Sequence, residues 1–247
     1  MAAVSLAPRL GVFAVALVAA CLGSTPAAPH QALDGEAMDA FLTRVTALNA
    51  AVAAGETRAE TTYRLGETVA RIVDTLNRDI AMHGGETRLV STVLVNELKG
   101  RGIDLSFSPA ATRYRSYLAP FERYLALAPT GDRRADAWFR LLQGRFYDSF
   151  VSDPFRWLDL DWPGLVAQIE AARAFVATYP EHADKEEAAF ILAVNLVRAV
   201  RAAPDADTTR RYRESARAAL TAYRDGHPDS LRAVAVRELL RSLPPAE

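Results

Sequence analysis

Three prolines, Pro129, Pro180 and Pro228, recur at spacings of 51 and 48 residues, and an aromatic stands five positions before each: Tyr124, Phe175 and Tyr223. Proline lacks the N–H that a helix interior needs and clashes with the preceding turn, so each one marks where a helix stops. After each comes a short polar turn with a residue suited to capping, Asp132, Asp184 or Ser230, and then a second run at helical spacing. The second runs carry Ala137, Trp138 and Leu142, then Ala188, Phe190 and Leu196, then Ala233, Val236 and Leu240. The aromatic fills the crossing of two antiparallel helices, and the small alanines let the axes approach. One such pair leaves an apolar face uncovered, so successive pairs are expected to stack and share a core.

The rest of the chain has the same helical period. Met38, Phe41, Leu42, Val45 and Leu48 form one stripe, and Leu65, Val69, Ile72, Val73, Leu76 and Ile80 form a longer one. Leu89, Val90, Val93, Leu94 and Leu98 form a third, opened by Gly84 and Gly85 and closed by Gly100 and Gly102. The stretch 102–112, with Phe107 and Pro109, reads as a connector. Composition agrees: the chain has 47 Ala, and 27 of its 29 basic residues are Arg, both strong helix formers. A net charge of -1 with 50% hydrophobic residues excludes a disordered chain, and the absence of a basic stripe argues against a nucleic-acid binder. The expected fold is all-α, built from stacked antiparallel helix pairs.

The first 27 residues have the layout of an export signal. One charge, Arg9, precedes an uncharged apolar run of about 12 residues, too short for the roughly 20 that a spanning helix needs. Leu17-Val18-Ala19-Ala20-Cys21 resembles a bacterial lipobox, which implies that Cys21 becomes a lipidated N-terminus. A rival cleavage pattern, Thr25-Pro26-Ala27, would release a soluble periplasmic or secreted form, and Cys21 also reads as one more small residue of the signal. With lipidation, Leu22 favours the outer membrane by resemblance to the enterobacterial sorting rule. Acyl chains contribute about 0.8 kcal/mol per buried CH₂, so they could hold the chain at a bilayer without a spanning helix. The expected organisation is a signal at 1–20, a tether at 21–35, an N-terminal helical part at 36–106 and helical repeats at 107–247.

Phe175-Val176-Ala177-Thr178-Tyr179-Pro180-Glu181-His182, followed by Glu187-Ala188-Ala189-Phe190-Ile191-Leu192, resembles a tetratricopeptide-type (TPR-like) repeat of bacterial envelope proteins. His227-Pro228-Asp229-Ser230 echoes the same turn. The resemblance extends to the outer-membrane barrel-assembly lipoprotein family, and implies an α-solenoid that binds other proteins without catalysis.

Candidate chemistry concentrates in 146–162. This segment holds Phe146, Tyr147, Phe150, Phe155, Trp157 and Trp162 with Asp148, Asp153, Asp159 and Asp161. Phe155, Trp157, Asp159, Asp161 and Trp162 are the candidate partner-binding residues, since aromatic platforms beside carboxylates suit a peptide or a sugar. Two carboxylates held about 5 to 9 Å apart could also hydrolyse a glycoside. The structural alternative is a connector whose aromatics plug the helix stack and whose aspartates cap helices. His30, His83, His182 and His227 lack a second ligand at metal spacing, so no metal and no cofactor are expected. His227-Pro228-Asp229 matches the J-domain co-chaperone signature, but the repeat phase already accounts for Pro228. The expected function is a lipid-anchored envelope scaffold that binds envelope proteins or peptides, in a setting such as outer-membrane assembly. The alternative is an envelope sugar-binding protein or glycoside hydrolase using 153–162.

Overall fold

A computed structural model describes residues 35–54, 58–149 and 161–243. Among them the chain forms α1 (Gly35–Ala54), α2 (Arg58–Met82), α3 (Leu89–Gly100), β1 (Phe107–Ser108), β2 (Arg113–Tyr114), α4 (Ala119–Leu127), α5 (Arg134–Asp148), α6 (Trp162–Thr178), α7 (Lys185–Ala202), α8 (Ala206–Gly226) and α9 (Ala233–Ser242). The all-α expectation holds apart from the short antiparallel ribbon β1–β2. The described residues fall into two compact units, one within His30–Asp153 and one within Pro154–Glu247.

In the first unit the 25-residue α2 is the central element. Its stripe Leu65, Val69, Ile72, Val73, Leu76 and Ile80 is buried against Leu42, Val45 and Leu48 of α1 and Leu94 and Leu98 of α3. Met38 and Phe41 are half-buried beside it. The third stripe is narrower than its spacing suggests: Leu89 is 80% exposed and Val93 39%, because α3 turns only the Ser91, Leu94 and Leu98 side inward. The carboxylate of Asp79, itself buried, pins the α2–α3 hairpin by accepting from Ser91 Oγ at 2.8 Å and from Arg88 Nη1 at 3.2 Å. The connector has a role in the core as well: Ile103, Leu105 and Tyr114 enter this cluster, and Phe107 pairs with Tyr114 across the ribbon.

A second cluster joins Tyr63 of α2 to Phe121 and Tyr124 of α4 and to Ala137 and Leu141 of α5. Gly66 makes room for it, since a Cβ there would lie 2.9 Å from the Phe121 ring. Tyr63 meets Phe121 and Tyr124 edge-on, with centroids 5.8 and 5.5 Å away.

The three proline turns share one backbone. Ala128, Tyr179 and His227 end α4, α6 and α8 with φ/ψ of -136/69, -124/63 and -137/59, and each donates its N–H to the carbonyl of the predicted aromatic at 2.8 to 2.9 Å. Next, Gly131, His182 and Ser230 donate back to Ala128, Tyr179 and His227. Arg134, Lys185 and Ala233 then donate to Gly131, His182 and Ser230, and Ala137, Ala188 and Val236 open the following helices by donating to Arg133, Asp184 and Arg232. Tyr124, Phe175 and Tyr223 are all buried, at 3%, 0% and 2% exposure.

Side chains answer one leftover backbone donor differently in each turn. Its owner lies four residues after the proline. In the second turn Asp184 N–H donates to His182 Nδ1 at 3.1 Å, and in the third Arg232 N–H donates to Ser230 Oγ at 3.2 Å. In the first turn the corresponding position is Gly131, and the Tyr124 hydroxyl takes the Arg133 N–H at 3.0 Å. A Cβ on Gly131 would sit 2.5 Å from that hydroxyl, so the glycine and the tyrosine form a matched pair. The predicted caps need correction. Asp132, Asp184 and Ser230 make no side-chain cap to the next helix, whose N-caps are Arg133, Asp184 and Arg232.

In the second unit α6, α7, α8 and α9 pack in chain order. Leu165, Ile169, Ala172 and Phe175 are buried on α6, Ala188, Phe190 and Leu196 on α7, and Leu220 and Tyr223 on α8, where Tyr223 lies 5.8 Å from Phe190. Two expected core positions shift by one residue. Phe139 rather than Trp138, and Leu239 rather than Leu240, point inward. A helical step of about 100° lets either neighbour face the core, and the position of the adjacent helix decides.

Candidate functional site

Of the predicted site residues, Asp161 and Trp162 are described, whereas Cys21, Phe155, Trp157 and Asp159 lie outside the described residues. Asp161 is the N-cap of α6. Its backbone is extended, its Oδ1 accepts from Gly164 N–H at 2.9 Å, and Pro163 occupies the first turn, where its missing N–H costs nothing. The carboxylate is therefore engaged in starting a helix. Trp162 is half-buried and meets the Tyr212 ring of α8 edge-on, with centroids 5.4 Å apart at 86°. The Arg211 guanidinium lies over the other aromatic of this pair, 5.5 Å from the Tyr212 centroid.

Between α6 and α7 runs a buried polar chain that the sequence reading missed. Asn195 Nδ2 donates to Gln168 Oε1 at 3.3 Å, and Arg198 Nη1 donates to Asn195 Oδ1 at 2.9 Å. Asn195 and Arg198 are fully buried and Gln168 nearly so. Exclusion of water pulls the Arg198 guanidinium down to about 10, which leaves it cationic at neutral pH, and burial lowers Arg201 one turn later. A charge is costly to hold inside a helix stack, and oriented amide oxygens offset part of that cost. The signal was present in the sequence: Asn195 and Arg198 interrupt the apolar run from Phe190 to Val200, where a solvent-facing helix would have carried a whole polar face.

Two of the described histidines sit in the proline turns. His182 packs edge-on against Phe175 at 5.3 Å and accepts from the turn, while His227 lies 5.0 Å from the Tyr223 ring in the third proline turn. Among the described residues no group of three His, Cys, Asp or Glu side chains is placed to hold a metal, and no helix is long and apolar enough to cross a membrane. The Asp161 cap and the Trp162–Tyr212 edge stand at the start of α6, and the Gln168–Asn195–Arg198 chain is buried between α6 and α7. Comparison with protein-family models, with curated proteins and with solved structures gives no match.

Proposed function

We propose that this chain is an exported, lipid-anchored scaffold of TPR-like helix pairs that binds proteins or peptides of the cell envelope, with outer-membrane assembly as its setting. The observation that carries this reading is the turn: three helix pairs are closed by the same set of backbone hydrogen bonds, as expected of a repeated unit that presents a surface. A stack of preformed pairs loses little ordering entropy when a partner docks. The Trp162–Tyr212 edge is the assigned contact region, and Cys21 is the assigned anchor on the outer membrane's periplasmic side. Cleavage after Ala27 would give a soluble periplasmic form of the same scaffold.

Two measurements test the reading. A photo-crosslinking residue at Trp162 should give a discrete adduct with an envelope component in native cells, and one at the exposed Arg237 should not; equal labelling from both would contradict the assigned surface. Cys21→Ala should abolish palmitate incorporation and move the protein out of the membrane fraction. An unlabelled wild type with unchanged fractionation would end the anchor assignment.

A further inference from the structure

In the first unit, Arg113 stands in a segment tied down by hydrogen bonds from α2 and α5. It follows Thr112, a β-branched residue with φ of 51°, in the left-handed region that such residues avoid. Strain of this kind persists where the surroundings over-determine the backbone. Asn77 of α2 donates to the Tyr114 carbonyl at 3.0 Å and accepts the Tyr114 N–H at 2.7 Å. Asp148 of α5 accepts the Ser116 N–H at 2.9 and 3.1 Å, and the Arg115 N–H reaches the Ser106 carbonyl at 2.7 Å.

The side chain so placed lies over the Tyr147 ring, with Cζ 6.0 Å from its centroid. Its one hydrogen bond among the described residues, from Nε to the Tyr114 carbonyl, is at the limiting distance of 3.5 Å, and it makes no ion pair among them. Arg140 nearby is fully engaged, with Nε and Nη2 on Glu67 at 2.8 and 3.1 Å and Nη1 on Gln143 at 3.2 Å. Asp74 stands one turn before Asn77 on α2, within electrostatic reach of both arginines. It opens to solvent and forms no ion pair among the described residues, yet the protein crowded around it pushes its carboxyl up against the pull of Arg140, Arg113 and Arg78.

We propose that Arg113, backed by Tyr147 and with Asp74 on the adjoining turn of α2, is a recognition site for the carboxylate of a peptide ligand. An aromatic ring behind a guanidinium covers its face and leaves its planar edge of N–H donors for a two-point contact with a carboxylate. The neighbouring Asp74 and Asp148 repel a phosphate dianion more than a singly charged carboxylate. A peptide supplies both complements, a carboxylate for Arg113 and a backbone N–H for Asp74. The site lies in the other unit from the Trp162 edge and is independent of the role assigned to that edge.

Titration of the ¹⁵N-labelled protein with an acetylated, amidated pentapeptide containing two aspartates should shift the Arg113 Nε–Hε resonance saturably. The same peptide with asparagines should not. Arg113→Gln should weaken binding by about tenfold or more, and Arg113→Lys should also weaken it, because an ammonium keeps the charge without the planar fork. Unchanged spectra elsewhere show that both variants fold. The proposal is overturned by absence of a saturable shift, by equal binding of the asparagine peptide, by undiminished binding to Arg113→Gln, or by inorganic phosphate acting at lower concentration.

Discussion

The turn after α4 and the turns after α6 and α8 have one backbone and three side-chain solutions. In the first unit a tyrosine hydroxyl reaches into the space above Gly131 to take the Arg133 N–H. In the second unit a histidine ring or a serine hydroxyl, standing where the glycine stood, takes the equivalent donor. The difference teaches what the repeat conserves within this chain. It keeps the path of the main chain and the satisfaction of each buried donor, and leaves the choice of side chain open. It also explains why Phe175 is tolerated where the other turns have tyrosine: His182 has taken over the task of the missing hydroxyl.

The largest effect expected from breaking this scheme comes from the aromatic itself. Phe175 is fully buried, so Phe175→Ala should lower stability by about 3 to 5 kcal/mol in denaturant melts. A loss below about 1 kcal/mol would remove it from the core. Gly131→Ala comes next. Its Cβ must displace the Tyr124 hydroxyl and strand the Arg133 amide, a cost of about 1 to 3 kcal/mol. The corresponding His182→Ala change meets no such collision, so steric strain sets the first turn apart from the second.

The smallest effect is a pH dependence confined to the third turn. Burial alone would raise the Glu186 carboxyl, but hydrogen bonds from Ser230 Oγ at 2.6 Å and the Tyr223 hydroxyl at 2.7 Å, with the charges of His227 and Arg232, hold it below its ordinary value of 4.5. A carboxyl lowered in the folded state stabilises fully above its unfolded value, and that contribution is lost as pH falls through the lower folded value. Burial pushes the Tyr223 phenol up to about 12, so it stays a donor throughout this range. Stability measured from pH 6 down to pH 3 should therefore fall less steeply in Glu186→Gln than in the wild type. Identical slopes would contradict the assignment.

Much of this helical fold was legible in the sequence, and the failures have physical causes. Proline position and the aromatic five residues earlier identified all three turns, because both act locally through the backbone. The α2 stripe was legible for a related reason: a long helix covered on several sides buries every residue of its apolar face. Leu89 and Val93 were misread because periodicity shows which residues share a face but cannot show how much of that face a short helix covers. Asp132, Asp184 and Ser230 were misread as side-chain caps because capping residues were sought by type, whereas the turn's leftover donor is taken by Tyr124, His182 or Ser230 before the helix begins. The ribbon left no periodic signal, being two residues per strand. Of the candidate residues, Asp161 and Trp162 were singled out by composition, Asp161 taking the helix-capping place that the structural alternative gave it, and Arg198 was passed over because a buried arginine runs against the usual rule for charge.

A double-mutant cycle at the first turn tests the central claim, that these turns are one backbone with interchangeable side-chain answers. Tyr124→Phe removes the acceptor from the Arg133 N–H, and Gly131→Ser alone sets a Cβ against the tyrosine hydroxyl, so each should destabilise the protein. Combined, the serine should take the donor as Ser230 does in the third turn, with no hydroxyl left to collide with. The account predicts that Tyr124→Phe/Gly131→Ser is more stable than the sum of the single losses implies, by a coupling of roughly 1 kcal/mol or more. Additive losses would contradict it.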